Sequence, residues 1–122
     1  MKSILVVEDE TDMQEIYRDI FREEGKAYSV DIVGDCAAAS AKLSDRAYDL
    51  LICDVIMEPM MGDMLYLSLK DHDKNRLTPV LFITVLREEY LSHIKGPDAR
   101  ISFLQKPVTK ESLFSKISAI LA

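Results

Sequence analysis

Leu50-Leu51-Ile52-Cys53-Asp54 is a short apolar run that stops on a carboxylate. Its length and composition fit a strand buried on both faces, as in parallel sheets. Three more runs are built the same way. Ile4-Leu5-Val6-Val7 stops on Glu8-Asp9, and Val80-Leu81-Phe82-Ile83 on Thr84. Ile101-Ser102-Phe103-Leu104 leads through Gln105 to Lys106-Pro107. In an open α/β sheet, ligands bind outside the carboxyl ends of the strands. The four runs are thus expected to gather three carboxylates, a hydroxyl and an ammonium along one sheet edge.

Helical signals fill the intervals. Met13, Ile16, Tyr17, Ile20 and Phe21 recur at helical spacing and predict a first helix. Asp12 is its expected cap, with Glu15 completing a capping box and Gly25 as the stop. Residues 29–33 alternate like a strand near a sheet edge. The alanine-rich stretch 35–46 predicts a second helix capped by Asp35, with Ala37, Ala38 and Ala41 allowing close packing. A loop covers 57–62, Asp63 caps a third helix to about residue 73, and the polar stretch 71–78 is a turn. Residues 87–95 form a short fourth helix stopped by Gly96-Pro97. Leu113, Ile117, Ile120 and Leu121 mark a fifth, capped by Thr109.

Strands alternating with helices imply a parallel sheet covered on both faces, a three-layer doubly wound (βα)5 sandwich in the α/β class. For Glu8-Asp9 and Asp54 to share a cation, the first and third strands must be neighbours. That gives a five-stranded sheet of order 2-1-3-4-5. A length of 122 residues suits a single domain spanning 1–122.

Composition narrows the function. Hydrophobic residues make up 48% and charged residues 30%, as in globular proteins. No apolar stretch reaches the ~18 residues of a membrane span. The net charge of −6 argues against nucleic-acid binding by this domain. A strand begins within a few residues of Met1, so the expectation is a native start with no secretory leader. Cys53 reads as a core residue and Cys36 as a partly exposed helix opener, both suited to a reducing cytoplasm. His72 and His93 sit in polar helical contexts and read as surface histidines.

Glu8, Asp9 and Asp54 brought together would repel one another. Two unit charges ~4 Å apart do so by about 4 kcal/mol at an effective dielectric near 20. Such a group takes up a proton or binds a cation. Its ligands are all oxygens, which favours Mg²⁺ or Mn²⁺ over zinc or copper. A carboxylate can also act as a nucleophile toward phosphorus. Lys106 and Thr84 are then placed to pair with phosphoryl oxygens. Each residue alone has a plain alternative: Asp54 as a turn former, Lys106 as a solvated lysine, Thr84 as a strand residue, Glu8-Asp9-Glu10 as a polar loop. The functional reading rests on their coincidence at four strand ends.

With these residues in place, the chain resembles a response-regulator receiver domain of two-component signalling, over residues 2–121. The motifs are Glu8-Asp9, Asp54 with Met57 and Gly62, Thr84, and Lys106-Pro107. The resemblance implies a flavodoxin-like, chemotaxis-regulator-like fold and a phosphoprotein carrying 4-aspartylphosphate at Asp54. The phosphoryl group would come from the phosphohistidine of a sensor histidine kinase or a histidine phosphotransfer protein. Mg²⁺ would be held by Asp9, Asp54 and the backbone carbonyl of Ile56, with Glu8 acting through a water. Thr84 and Lys106 would contact the phosphoryl group, and Phe103 takes the aromatic switch position, although a plain core aromatic is the alternative there. The surface of the fourth helix, fifth strand and fifth helix would change on phosphorylation and could carry a homodimer. The chain would catalyse only its own phosphorylation and dephosphorylation.

Three departures stand out. Pro59 comes one residue later than the family's usual proline, with Glu58 in its place. Val85 follows Thr84 where the family prefers Ala or Gly. Ile56 and Leu86, two residues beyond Asp54 and Thr84, are both apolar. Two rivals remain: a pseudo-receiver that binds partners without phosphorylation, and a small Mg²⁺-dependent phosphohydrolase. The second rival lacks the further Asp that a haloacid-dehalogenase-like phosphatase carries two residues after its nucleophile, where this chain has Ile56. Apolar Ile56 and Leu86 deprive an attacking water of polar partners, which predicts a long-lived phosphorylated form. Leu86→Glu and Ile56→Asn are each expected to speed loss of the phosphoryl group; parental decay rates in both would refute the idea.

Overall fold

The computed structural model describes residues 1–24, 27–54, 68–85 and 100–122. Its strands are β1 (Lys2–Val7), β2 (Tyr28–Val33), β3 (Leu50–Cys53), β4 (Val80–Thr84) and β5 (Ile101–Gln105). They form one sheet in the order β2-β1-β3-β4-β5, with every neighbouring pair parallel. This is the order expected from the requirement that Glu8 and Asp54 meet. The helices are α1 (Thr11–Glu24), α2 (Cys36–Asp45) and a C-terminal helix (Lys110–Leu121), with a 3-10 turn at Leu69–Asp71. Gly25, the 57–62 loop, residues 63–67 of the predicted third helix, the predicted fourth helix and His93 lie outside the described residues.

Successive side chains of a strand point to opposite faces, and both faces here are apolar. Leu5, Val7, Leu51, Cys53, Val80 and Phe82 pack with Cys36, Ala39 and Leu43 of α2. Ile4, Val6, Leu50, Ile52, Leu81 and Ile83 pack with Tyr17 and Phe21 of α1 and with Leu113 and Ile117 of the C-terminal helix. The continuous apolar runs follow directly from this double burial.

The helix ends differ in detail from expectation. Asp35 caps α2 through an Ala38 N–H donated to its Oδ1 at 2.7 Å. Thr109 caps the C-terminal helix reciprocally with Ser112. Asp12, however, is not the cap of α1. That helix starts at Thr11, and Gln14 N–H already donates to the Glu10 carbonyl, so Asp12 lies within the first turn. The close-packing alanine of α2 is Ala39, with Ala37 and Ala41 exposed. Cys36 is buried rather than partly exposed, since it shares the inward stripe with Ala39 and Leu43. Ile16 is 44% exposed, at the margin of the α1 stripe that Tyr17 and Phe21 bury. His72 is half-buried, with its ring nitrogens 3.4 and 3.1 Å from the Ser40 and Ser44 hydroxyls of α2.

The turn before β4 contains a polar staple. Asn75 is buried; its Nδ2 donates to the Leu43 and Arg46 carbonyls at 2.7 and 2.8 Å. Its Oδ1 accepts from the Tyr48 N–H at 2.8 Å and the Thr78 hydroxyl at 3.0 Å. One amide thus joins the end of α2, the approach to β3 and the approach to β4. Asn75→Ala leaves several buried groups without partners and is expected to cost about 3 kcal/mol. Urea unfolding of the variant checks this, and a loss within experimental error of zero would refute the staple.

Candidate functional site

β1 and β3 pair through Val7 and Cys53, so Glu8 and Asp54 leave adjacent strands at one level. Both continue the alternation of the α1 side of the sheet, Glu8 after Ile4 and Val6, Asp54 after Leu50 and Ile52. Both are buried, at 2% and 9% exposure. Lys106 lies just beyond β5 and reaches across the end of β4 to them. Its Nζ stands 2.9 Å from Asp54 Oδ2 and 3.7 Å from Glu8 Oε1. Its backbone N–H donates to the Thr84 carbonyl at 2.8 Å, which anchors the β5 end to the β4 end, and the following peptide bond to Pro107 is cis.

Two buried carboxylates therefore share one ammonium. Burial pushes the Glu8 carboxyl above the usual carboxylate value, and contact with the Asp9 carboxyl and the charge of Asp54 add to the rise. The Glu10 N–H, donated to Glu8 Oε2 at 3.1 Å, and the Lys106 charge work against it. For Lys106, burial works to lower the ammonium. The hydrogen bond and charge of Asp54, with Glu8 and Glu10 behind them, prevail and hold it above the ordinary lysine value.

Of the three carboxylates expected at this edge, Glu8 and Asp54 meet on Lys106, and the Asp9 carboxyl lies against Glu8. Asp9 itself is exposed. Among the described residues no three Asp, Glu, His or Cys side chains converge as a metal cage. Mg²⁺ needs no such cage, since it keeps several waters and takes one or two carboxylates. An all-oxygen donor set with an excess of buried negative charge fits it. The Ile56 carbonyl lies outside the described residues.

Thr84 ends β4 and is buried, between the β3 and β5 strand ends. Val85, next to it, is 63% exposed and holds Gln105 Nε2 on its carbonyl at 3.4 Å. Phe103 is opposite Phe82 in the β4–β5 register and stacks on it, with ring centres 5.7 Å apart and planes 21° apart. Sequence reading passes over Gln14, whose Nε2 donates to the Glu8 carbonyl at 2.7 Å. A glutamine on a helix carries no motif that would mark it.

The response regulator receiver domain model matches residues 4–118 of the chain. The response regulator ArlR of Staphylococcus epidermidis is 30% identical over 122 residues, covering 99% of this chain and 53% of that protein. The chain spans about half the length of the curated relatives ArlR, RegX3 and TcrA that it matches. Among solved structures, chemotaxis protein CheY4 of Vibrio cholerae superposes with a TM-score of 0.89 at 23% identity, over 99% of both chains. The receiver domain of a sensor histidine kinase from Pseudomonas aeruginosa does so with a TM-score of 0.84 at 20% identity, over 98% of this chain and 97% of that one. At these identities the two structures share the fold. The family match covers the strand ends that deliver Glu8, Asp54, Thr84 and Lys106, and the chain belongs to the response regulator receiver domain family.

Proposed function

We propose that this chain is a Mg²⁺-dependent phosphoryl acceptor, with Asp54 as the residue modified. The observation that carries the reading is Lys106 Nζ at 2.9 Å from a buried Asp54 that neighbours a buried Glu8. An ionised Asp54 oxygen attacks the phosphorus of a phosphohistidine on a sensor kinase or phosphotransfer protein. The O–P bond forms as the N–P bond breaks, and the electron pair returns to the imidazole, which takes up a proton. The nucleophile is a carboxylate oxygen rather than a hydroxyl, so no general base is needed. Asp9, Asp54 and the Ile56 carbonyl would hold Mg²⁺, with Glu8 acting through a water. The cation would offset charge building on the phosphoryl oxygens. The Pseudomonas aeruginosa receiver carries a magnesium ion in its active-site cleft.

Once Asp54 is an acyl phosphate, Lys106 would pair with one phosphoryl oxygen and Thr84 would donate to another. Phe103 is the proposed aromatic switch residue, and the face of the predicted fourth helix, β5 and the C-terminal helix the proposed output and dimer surface. A cytoplasmic setting suits a phosphohistidine donor. Among the described residues no helix is long and apolar enough to cross a membrane. The displaced Pro59 favours a second reading, a pseudo-receiver that binds partners unphosphorylated.

Incubation with Mg²⁺ and acetyl phosphate is expected to add one phosphoryl group per chain by intact mass, and Asp54→Asn to abolish it. No adduct on the parent would favour the pseudo-receiver, and sustained turnover a phosphohydrolase.

Glu8 also predicts a pH effect. Its folded value lies above its ordinary 4.5, so the folded chain holds this proton better than the unfolded one. The corresponding stability is present below pH 4.5 and is lost as pH rises through the elevated folded value. Glu8→Gln removes that loss. It is expected to raise the metal-free melting temperature at neutral pH and to weaken Mg²⁺ binding. A lower melting temperature than the parent's would refute the account of Glu8 as a charge held at a cost.

A further inference from the structure

Glu8 lies one residue past the β1 ladder, whose last rungs are Val7 with Val33 and Val7 with Cys53. Its backbone is nonetheless tied at both ends. The Glu8 N–H donates to the Val33 carbonyl at 3.0 Å, and the Glu8 carbonyl accepts from Gln14 Nε2 at 2.7 Å. That carbonyl belongs to the peptide linking Glu8 to Asp9. Holding it fixes the plane from which both acidic side chains depart. The Glu10 N–H on Glu8 Oε2 then fixes the Glu8 carboxylate itself. Gly34, in the turn from β2 to α2, completes the arrangement. A Cβ there would stand 3.3 Å from Gln14 Nε2, closer than the amide tolerates without shifting.

We propose that Gln14 is a positioning residue for the cation at the acidic pair, acting through the Glu8–Asp9 peptide, and that Gly34 leaves room for its amide. This rests on the reading of Glu8, Asp9 and Asp54 as a Mg²⁺ site. The plain alternative is a helix-to-loop hydrogen bond that adds only stability. The two differ in what they predict for the metal. Hydrogen bonds that orient metal ligands typically change metal affinity by 10–100-fold when lost. Gln14 acts on a backbone carbonyl rather than on a ligand atom, so the effect belongs at the lower end.

The test is a Mg²⁺ titration of the chain without phosphodonor, followed by backbone amide NMR shifts, alongside thermal melts. Gln14→Met keeps the length of the side chain and removes the donor. It is expected to weaken Mg²⁺ about 10-fold. Gln14→Glu, which puts an acceptor against the carbonyl, should also weaken it. Gly34→Ala should shift affinity in the same direction, and Gly34→Ala with Gln14→Met should bind no worse than Gln14→Met alone, since both act through one amide. Phosphorylation by acetyl phosphate at saturating Mg²⁺ should return to the parental rate in Gln14→Met, since only the metal's hold is weakened. Parental Mg²⁺ affinity in folded Gln14→Met and Gln14→Glu, with or without a lower melting temperature, would overturn the proposal. Fully additive losses in the double variant would overturn the part assigned to Gly34. A parent chain that binds no Mg²⁺ would sink the metal reading itself, and this inference with it.

Discussion

The constraint on which the rest depends is electrostatic: two buried carboxylates on adjacent strands balanced by one ammonium from a third. Burying a carboxylate without a partner is costly enough that the group normally takes up a proton instead. Lys106 offsets this only in part for Glu8, whose carboxyl is still held by burial above its usual value. The sheet must therefore do two things together. It must bring β1 beside β3, so that Glu8 and Asp54 meet, and it must bring the end of β5 within reach across β4. The order β2-β1-β3-β4-β5 satisfies both. The bond from Lys106 N–H to the Thr84 carbonyl keeps the reach fixed.

The same alternation that builds the core aims the site. Because strand side chains have a period of two, Glu8 and Asp54 fall on the face that Val6 and Ile52 bury under α1 and the C-terminal helix. A one-residue slip of β1 would send Glu8 toward α2 and bring Asp9 to its place, while turning Ile4 and Val6 out of their cluster. Core register and site register are thus a single specification. The apolar packing on both faces, far larger in total than any one ion pair, enforces the position of the acids. This is how a domain can carry a destabilising cluster of like charge at its edge.

That coupling explains what can be read from the sequence. The four strands and their order are legible because double burial leaves unbroken apolar runs, and because each run stops on a residue with a distinct chemistry. Asp35 and Thr109 are legible as caps because their side chains bond locally, to Ala38 and Ser112. Asp12 misleads because Glu10 supplies the first carbonyl of α1, two residues earlier than the side-chain pattern suggests. Asn75 looks like one more polar turn residue, yet its partners lie on Leu43, Arg46 and Tyr48, some thirty positions away in the chain. Gln14 is hidden for a related reason: its partner is a backbone carbonyl, which leaves no mark on residue type. A side chain that caps its own turn shows in sequence, whereas one bonded to main chain outside that turn, six positions away for Gln14 or some thirty for Asn75, does not.

The stacking of Phe103 on Phe82 bears on how such a site communicates. The two rings face each other across β4 and β5, two residues before Thr84 on one strand and three before Lys106 on the other. Phe82 is fully buried and fixed by its neighbours, while Phe103 is only partly covered and packs at the margin of the α2-side cluster. An aromatic pair of this kind contributes about 0.5–1.5 kcal/mol beyond area burial. Turning Phe103 away from Phe82 therefore costs little compared with charge rearrangement in a poorly hydrated pocket. A new dianionic group on Asp54 would draw on Lys106 and Thr84, the residues that end these two strands. An equilibrium separated by a few kcal/mol is what such a perturbation can reverse. The buried ring on β4 and the partly covered ring on β5 would give the proposed switch a fixed reference and a part able to turn against it.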